Sequence, residues 1–123
     1  MNKELRKQVF DKYGGHCAYC GRDLEFNRMQ VDHIWPVQRG LLGAKERLKK
    51  QENIESLNPA CGRCNRYKST MDLETFRKQL SKQVQRARNK SWNFRMAEDF
   101  GLVAETGNDV IFYFEKYCCG HPR

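Results

Sequence analysis

Two Cys-x-x-Cys pairs carry the most informative chemistry in this sequence. The pairs are Cys17/Cys20 and Cys61/Cys64, and they lie far apart along the chain. Structural zinc prefers four tetrahedral ligands, and two intervening residues let both sulfurs of a pair face one ion. The spacing therefore predicts one structural zinc ion that ties two distant segments together. The alternatives are two unrelated thiol pairs or a redox dithiol.

An Asp-His pair lies between the two cysteine pairs, and an asparagine directly follows the second pair. Asp32 can bind Mg²⁺ or Mn²⁺ through oxygen, and neutral His33 can take a proton from water near pH 7. Asn65 offers a carbonyl oxygen as another metal ligand. Phosphodiester hydrolysis needs a base and a cation that stabilises the developing charge. These residues therefore indicate a second, catalytic metal site that cleaves nucleic acid.

The charge distribution favours a polyanionic partner. The formal net charge is +8, and residues 61–95 contain ten Lys and Arg against two Asp and Glu. A basic surface of this kind attracts nucleic acid. Arg66 and Lys68 follow the second cysteine pair, where they could bind phosphates that flank the site. The alternative is a solvated basic helix face.

Length and composition predict one small domain without a membrane span. The chain has 123 residues, of which 39% are hydrophobic, so a metal would help to stabilise a modest core. It contains no apolar run of about 18 residues, and its first residues lack the apolar stretch of a signal peptide. We therefore expect a reducing cytoplasm, where Cys-x-x-Cys pairs bind metal. Cys118 and Cys119 are expected to be free thiols, with a second metal site that includes His121 as the alternative.

The hydrophobic pattern and the helix caps predict an α+β fold. Asn2 can cap a helix over residues 3–13, and residues 29–35 have the pattern of a strand. Cys17 to Gly21 is expected to form a tight metal-binding turn, called the first knuckle below. The other predicted elements are a helix over 61–70 that begins at the second knuckle (residues 61–64), a helix over 72–88, a helix over 91–101 capped by Ser91, and a buried strand over 110–114.

Three stretches around the cysteine pairs form a combined motif. They read HCAYCG, VDHIWPVQRG and LNPACGRCNRYKS, and they cover roughly residues 16–70. Together they closely resemble the HNH endonuclease family. The resemblance implies a zinc-stapled ββα-metal core in which His33 is the general base, while Asp32 and Asn65 hold Mg²⁺ or Mn²⁺. It also implies metal-assisted cleavage of DNA.

The rest of the sequence resembles a C-terminal extension found in HNH proteins of phages and mobile elements. The matching stretches read MDLETFRKQL, NFRMAEDFGL and VIFYFEK. We therefore expect a single domain over residues 1–123. Within it, residues 1–70 would form the zinc-bound HNH core, and residues 71–123 a helical extension that ends in a short strand.

Ser56 departs from the family pattern. The family usually has an asparagine at this position, which ties the loop between the two strands. Serine has one hydroxyl rather than an amide, so it can make fewer hydrogen bonds. Asn53 or Asn58 could substitute from a shifted position. We expect weaker activity rather than none, because the base and the metal ligands are retained.

A long basic connection between His33 and Ser56 is the second departure. Its surplus falls at residues 41–50, and this insert could bind DNA or a protein partner. The alternative is a tolerated surface insertion. The predicted DNA-binding residues are Arg39, Lys45, Arg47, Lys49, Lys50, Arg66 and Lys68.

The favoured interpretation is a metal-dependent HNH endonuclease that nicks or cuts double-stranded DNA, as a monomer or a homodimer. It would act in the cytoplasm of a bacterial or phage-infected cell. The alternative is a weak or inactive HNH scaffold that binds nucleic acid or a protein partner, as a regulator or an inhibitor. A zinc- or iron-bound electron carrier is the third interpretation.

Overall fold

The computed structural model describes residues 1–35 and 52–117. Two predictions fall outside these residues: the basic insert at 41–50 and the thiols of Cys118 and Cys119 with His121. The predicted DNA contacts of Arg39, Lys45, Arg47, Lys49 and Lys50 lie outside them as well. Among the described residues, no helix is both long enough and apolar enough to span a membrane.

The first helix, α1, spans Lys3–Asp11. The Asn2 side chain caps it by accepting a hydrogen bond of 2.7 Å from the Leu5 amide, as Asn at this position typically does. Gly14 and Gly15 follow with φ angles of +64° and +84°, a conformation that glycine adopts without steric cost. The predicted cap is therefore confirmed, and the helix ends at Asp11, two residues before its predicted end.

Two antiparallel strands follow, β1 over Gln30–His33 and β2 over Leu57–Ala60. Their register pairs Gln30 with Ala60 and His33 with Leu57. All four residues of β2 are buried. Its Pro59 has no amide to donate, but the Pro59 carbonyl accepts a 2.8 Å bond from Ala18 in the first knuckle. The strand β2 is thus held between β1 and the first knuckle.

Helix α2 spans Gly62–Lys68 and begins at the second knuckle, as predicted. The Cys61 sulfur caps it by accepting a 3.4 Å bond from the Cys64 amide. Its end is marked by Ser69, which has a φ of +49°. The order β1, β2, α2 is that of a ββα-metal core. A small apolar cluster of Val9, Met29 and Leu57 fixes α1 against the two strands.

The chain divides into two compact units, one formed by Met1–Leu73 with the chain from Ile111, and one formed by Glu74–Val110. The second unit contains most of α3 (Leu73–Ser81), together with α4 (Gln83–Lys90) and α5 (Trp92–Asp99). Ser91 caps α5 by accepting a 3.1 Å bond from the Phe94 amide, as predicted. The predicted division into a core of 1–70 and an extension of 71–123 stays a prediction.

The single helix predicted over residues 72–88 is wrong, because the structure breaks it at Lys82 into α3 and α4. The Ser81 hydroxyl donates a 2.7 Å bond to the Lys78 carbonyl, and such back-bonding competes with the helical ladder. The Lys82 amide then bonds to the Gln79 carbonyl at 3.2 Å, which is the tighter 3₁₀ pattern that commonly ends helices.

The predicted strand over 110–114 is also wrong, because the chain forms a short helix, α6, over Tyr113–Tyr117. The Tyr113 and Phe114 amides donate to the Tyr19 and Ala18 carbonyls at 3.0 and 2.9 Å. The Glu115 carboxylate accepts a 2.8 Å bond from the Phe112 amide, as in a helix-capping box. Carbonyls of the first knuckle therefore accept hydrogen bonds from the first amides of α6. A strand at this position would instead have needed a neighbouring strand as its hydrogen-bond partner.

Candidate active site and metal centre

The four cysteines of the two knuckles converge into one cluster. The sulfurs of Cys17, Cys20, Cys61 and Cys64 all lie within 4.8 Å of one another, and all four cysteines are free of disulfides. The Cys20 and Cys61 sulfurs are 3.8 Å apart. Zinc–sulfur bonds of about 2.3 Å in a tetrahedron would place sulfurs roughly 3.8 Å apart. The donor set therefore fits a structural metal ion with four thiolate ligands.

Backbone hydrogen bonds shape the first knuckle around this cluster. The Gly21 amide donates to the Cys17 carbonyl at 3.0 Å, and the Cys17 amide donates to the Arg22 carbonyl at 2.8 Å. Gly21 has a φ of +80°, which explains why a glycine follows the second cysteine. These two backbone hydrogen bonds close the turn that carries Cys17 and Cys20.

Asp32 lies on β1 and is almost fully enclosed, with 4% of its surface exposed. Its carboxylate accepts hydrogen bonds from two side chains, the Tyr19 hydroxyl and the Lys68 ammonium. The Lys68 Nζ atom lies 3.2 Å from Oδ1 and 3.1 Å from Oδ2. Lys68 also donates to the His33 carbonyl at 3.1 Å. Residues from the first knuckle and from α2 therefore meet on this one carboxylate.

The Lys68 side chain is fully buried, with 0% of its surface exposed. This corrects the prediction that Lys68 contacts a DNA phosphate, because its ammonium is directed inward to Asp32 and the His33 carbonyl. The prediction took a lysine after the second cysteine pair for a surface charge. No local feature of the sequence indicates that Lys68 is buried, because Lys68 acquires its partners only when α2 packs on β1.

Burial raises the pKa of Asp32, while the hydrogen bond from Tyr19 and the charge of Lys68 act in the opposite direction. Burial and the Asp32 charge both raise the pKa of Tyr19. The Tyr19 hydroxyl therefore keeps its proton at neutral pH and remains a donor to the carboxylate.

A buried polar network continues from Tyr19 to Lys12, the residue directly after α1. The Asn58 side chain, 1% exposed, donates to the Tyr19 oxygen at 3.3 Å and accepts a 3.2 Å bond from Lys12. Lys12 also donates to the Ile54 and Leu57 carbonyls, both at 2.7 Å. Sequence reasoning missed Tyr19 and Lys12 and noticed Asn58 only as a substitute for the family asparagine. The available signal was an asparagine between the apolar Leu57 and the prolyl residue of β2.

Asn65 lies in α2 and donates a 2.6 Å hydrogen bond to the Gln30 side chain. The structure thus pairs Asn65 with Gln30 and Lys68 with Asp32, one turn of α2 apart. A divalent cation on Asp32 and Asn65 would meet the Lys68 ammonium on the same carboxylate, and like charges at that distance repel strongly. In this arrangement the two residues do not fit the predicted catalytic metal site.

His33 ends β1 and is half-buried. Two backbone interactions fix its position, the pairing with Leu57 and the bond from Lys68 to its carbonyl. The imidazole is therefore carried by the end of β1, one residue after the enclosed Asp32.

Ser56 stabilises the turn before β2. Its hydroxyl and its amide both donate to the Asn53 side-chain oxygen at 3.0 Å, and its carbonyl accepts a 2.9 Å bond from the Ile34 amide. The two asparagines considered as substitutes thus have different partners, with Asn53 on Ser56 and Asn58 in the buried network.

Two exposed arginines, Arg63 and Arg66, lie on α2 at or next to the second knuckle. Arg66 is exposed on α2 and lines an open groove with Gly62, Arg63 and Tyr67. Arg63 was not predicted as a contact residue, although it lies between the two cysteines of the second pair. This face offers guanidinium groups that suit phosphate oxygens.

The family comparison matches this part of the chain. Residues 17–70 match the model of the HNH endonuclease family. Residues 17–70, called the HNH segment from here on, belong to the HNH endonuclease family. The HNH segment contains both knuckles, β1, β2 and α2, while α1 and the helices after α2 lie outside it. The predicted family and its ββα-metal core are therefore confirmed.

A solved structure of the type II-C Cas9 enzyme from Actinomyces naeslundii is similar to this chain. The similarity has a TM-score of 0.44 and 21% sequence identity, and it covers 77% of this chain and 10% of that one. This chain thus spans about a tenth of the Cas9 chain. No curated protein matches the sequence.

Proposed function

We propose that this protein is a metal-dependent endonuclease that hydrolyses DNA phosphodiester bonds, by nicking or by cutting both strands. One observation carries the proposal: the HNH segment holds the strand with Asp32 and His33 beside α2 through the four-cysteine cluster. The basic composition supports a nucleic-acid substrate. The reducing cytoplasm of a bacterial or phage-infected cell is the proposed location, since it keeps metal-binding thiols reduced.

His33 is the proposed general base. A neutral imidazole near pH 7 can accept the proton of a water molecule as that water attacks the phosphorus atom. The position of His33 at the end of β1, fixed by the pairing with Leu57, suits this role because a base must be oriented before reaction. Arg66, exposed on α2, is proposed to bind a flanking phosphate.

Two metals belong to the proposal. Zinc is proposed for the four-cysteine cluster, where it would fix the two knuckles and therefore the relative placement of β1 and α2. Mg²⁺ or Mn²⁺ is proposed as the catalytic cation, which would stabilise negative charge on the phosphate when bound. Asp32 and Asn65 would hold it only in an arrangement in which Lys68 no longer pairs with Asp32. Proton transfer to His33 is independent of how that cation is held.

Plasmid cleavage tests the proposal. Zinc-loaded wild-type protein and the His33→Ala variant are incubated with supercoiled plasmid in Mg²⁺ or Mn²⁺, and nicked and linear products are quantified. His16→Ala is the matched control, since His16 is the other histidine that the structure describes and it contacts Asp23 rather than the site. Ser56→Asn in the same assay measures the effect of restoring the family asparagine. Intact plasmid in every wild-type reaction would overturn the proposal.

The buried ion pair of Asp32 and Lys68 favours a second candidate, a non-catalytic HNH scaffold that binds DNA or a protein partner. Asp32 has no open face for a substrate or a cation in this arrangement. For a DNA-binding scaffold, His33→Ala would leave the affinity for labelled duplex DNA unchanged. Charge reversal at Lys45, Arg47, Lys49 and Lys50 would abolish it. Fluorescence anisotropy distinguishes the two candidates when it is read beside the plasmid assay.

A further inference from the structure

The Lys68 ammonium lies against the Asp32 carboxylate, the group that is predicted to bind a catalytic cation. Its ammonium is within 3.2 Å of both carboxylate oxygens and contacts the His33 carbonyl. Both charged residues are enclosed, with 0% of Lys68 and 4% of Asp32 exposed. An ion pair this enclosed is weakly screened by water and salt.

Tyr19 closes the other side of the carboxylate. Its hydroxyl donates to the same Oδ2 atom that Lys68 approaches, and Asn58 holds the Tyr19 oxygen in turn. A carboxylate has about four lone-pair positions, so these donors leave little of Asp32 for another ligand. The first knuckle and α2 together enclose the carboxylate around a cation that the chain itself supplies.

We propose that Lys68 is a positioning residue that occupies the cation place on Asp32, and that a divalent cation binds Asp32 only by displacing the Lys68 ammonium. This inference rests on the proposed function, because it concerns the cation of the same site. Lys68 is the last residue of α2, so its flexible four-carbon stem can swing away without breaking the helix. Without a divalent cation, the Lys68 ammonium neutralises the Asp32 carboxylate and keeps it in position.

Metal affinity provides the first test. Mn²⁺ binding to zinc-loaded protein is measured by isothermal titration calorimetry for wild type, Lys68→Met and Lys12→Met. We expect Lys68→Met to bind Mn²⁺ at least about tenfold more tightly than wild type, because the metal no longer competes with a buried ammonium. Lys12→Met removes another lysine of the same network, one bonded to Asn58 rather than Asp32, and should bind Mn²⁺ like wild type. Equal or weaker binding by Lys68→Met overturns the proposal.

Lysine labelling of the wild-type protein provides a second test, which does not depend on how well the variant folds. Amine acetylation is followed by mass spectrometry with and without millimolar Mn²⁺. Lys68 should be protected without Mn²⁺ and become labelled with it, while the exposed Lys7 is labelled equally in both. Protection of Lys68 at saturating Mn²⁺ overturns the proposal.

The same preparations separate this inference from the proposed function. Plasmid cleavage by wild type with Lys68 still protected would leave the nuclease proposal standing and refute the displacement of Lys68. Tighter Mn²⁺ binding by Lys68→Met with intact plasmid throughout would support the displacement and refute the nuclease.

Discussion

Replacing Lys68 by methionine should destabilise the HNH segment severely. The substitution keeps the unbranched shape of the side chain, loses its terminal atom and removes its charge, which leaves the Asp32 carboxylate buried without a countercharge. Breaking a buried ion pair by removing one partner typically costs about 3–5 kcal/mol. The structure supports a value in this range, because both groups are enclosed and the ammonium has two acceptors, the Asp32 carboxylate and the His33 carbonyl.

The assay is urea unfolding followed by circular dichroism at a fixed concentration of free zinc. Lys7→Met is the matched control, since Lys7 also pairs with an aspartate, Asp11, at 3.1 Å but on the surface. Exposed pairs contribute about 0.2–1 kcal/mol. The double variant Asp32→Asn/Lys68→Met removes both charges, so it should recover much of the stability that the single change loses. A loss in Lys68→Met no larger than that in Lys7→Met would refute the reasoning.

Three further predictions concern the network, the metal and the second unit. Tyr19→Phe should lower the free energy of unfolding by about 1–3 kcal/mol, measured by the same urea assay, because Asp32 and Asn58 each lose a buried hydrogen-bond partner; an unchanged midpoint would contradict this. Chelation of the metal should unfold the HNH segment, with a loss of circular dichroism that parallels zinc release; full structure without metal would contradict the structural role. Arg88 Nη2 lies 2.7 Å from a Glu98 oxygen, and this contact lowers the pKa of Glu98. The ion pair should therefore stabilise the fold above the ordinary pKa of a glutamate, and this stabilisation should be lost as the pH falls through the lowered pKa of Glu98. An NMR titration of Glu98 should show this lowered pKa, and Arg88→Met should return it to the ordinary value.

Local signals in the sequence were sufficient for the elements that depend on local chemistry. The caps of α1 and α5 were visible as Asn2 and Ser91, and the start of α2 followed from the cysteine spacing. The hydrophobic period does not predict the break at Lys82. It is the same whether the Ser81 hydroxyl bonds to water or to the helix backbone. A short apolar run such as residues 110–114 fits either a strand or a helix. The carbonyls that accept hydrogen bonds from the first α6 amides belong to the distant first knuckle.

The candidate site was predictable only in part, for the same reason. The cysteine cluster follows from residue type and spacing, since two Cys-x-x-Cys pairs are typical of a site with four thiolate ligands. The partners of Asp32 do not follow, because Tyr19 and Lys68 reach it only after the knuckles and α2 have packed. A lysine in a basic stretch therefore appeared as a surface charge, although the structure buries Lys68 completely.

Plasmid nicking by wild type and His33→Ala, in equal zinc-loaded amounts with Mn²⁺, tests the central claim most directly. A general base typically contributes about 10²–10⁴-fold to rate. Wild type should therefore convert supercoiled plasmid to nicked or linear product, and His33→Ala should be slower by at least about a hundredfold. Equal rates for the two proteins, or no cleavage by either, would contradict the account of His33 as the base of an HNH nuclease.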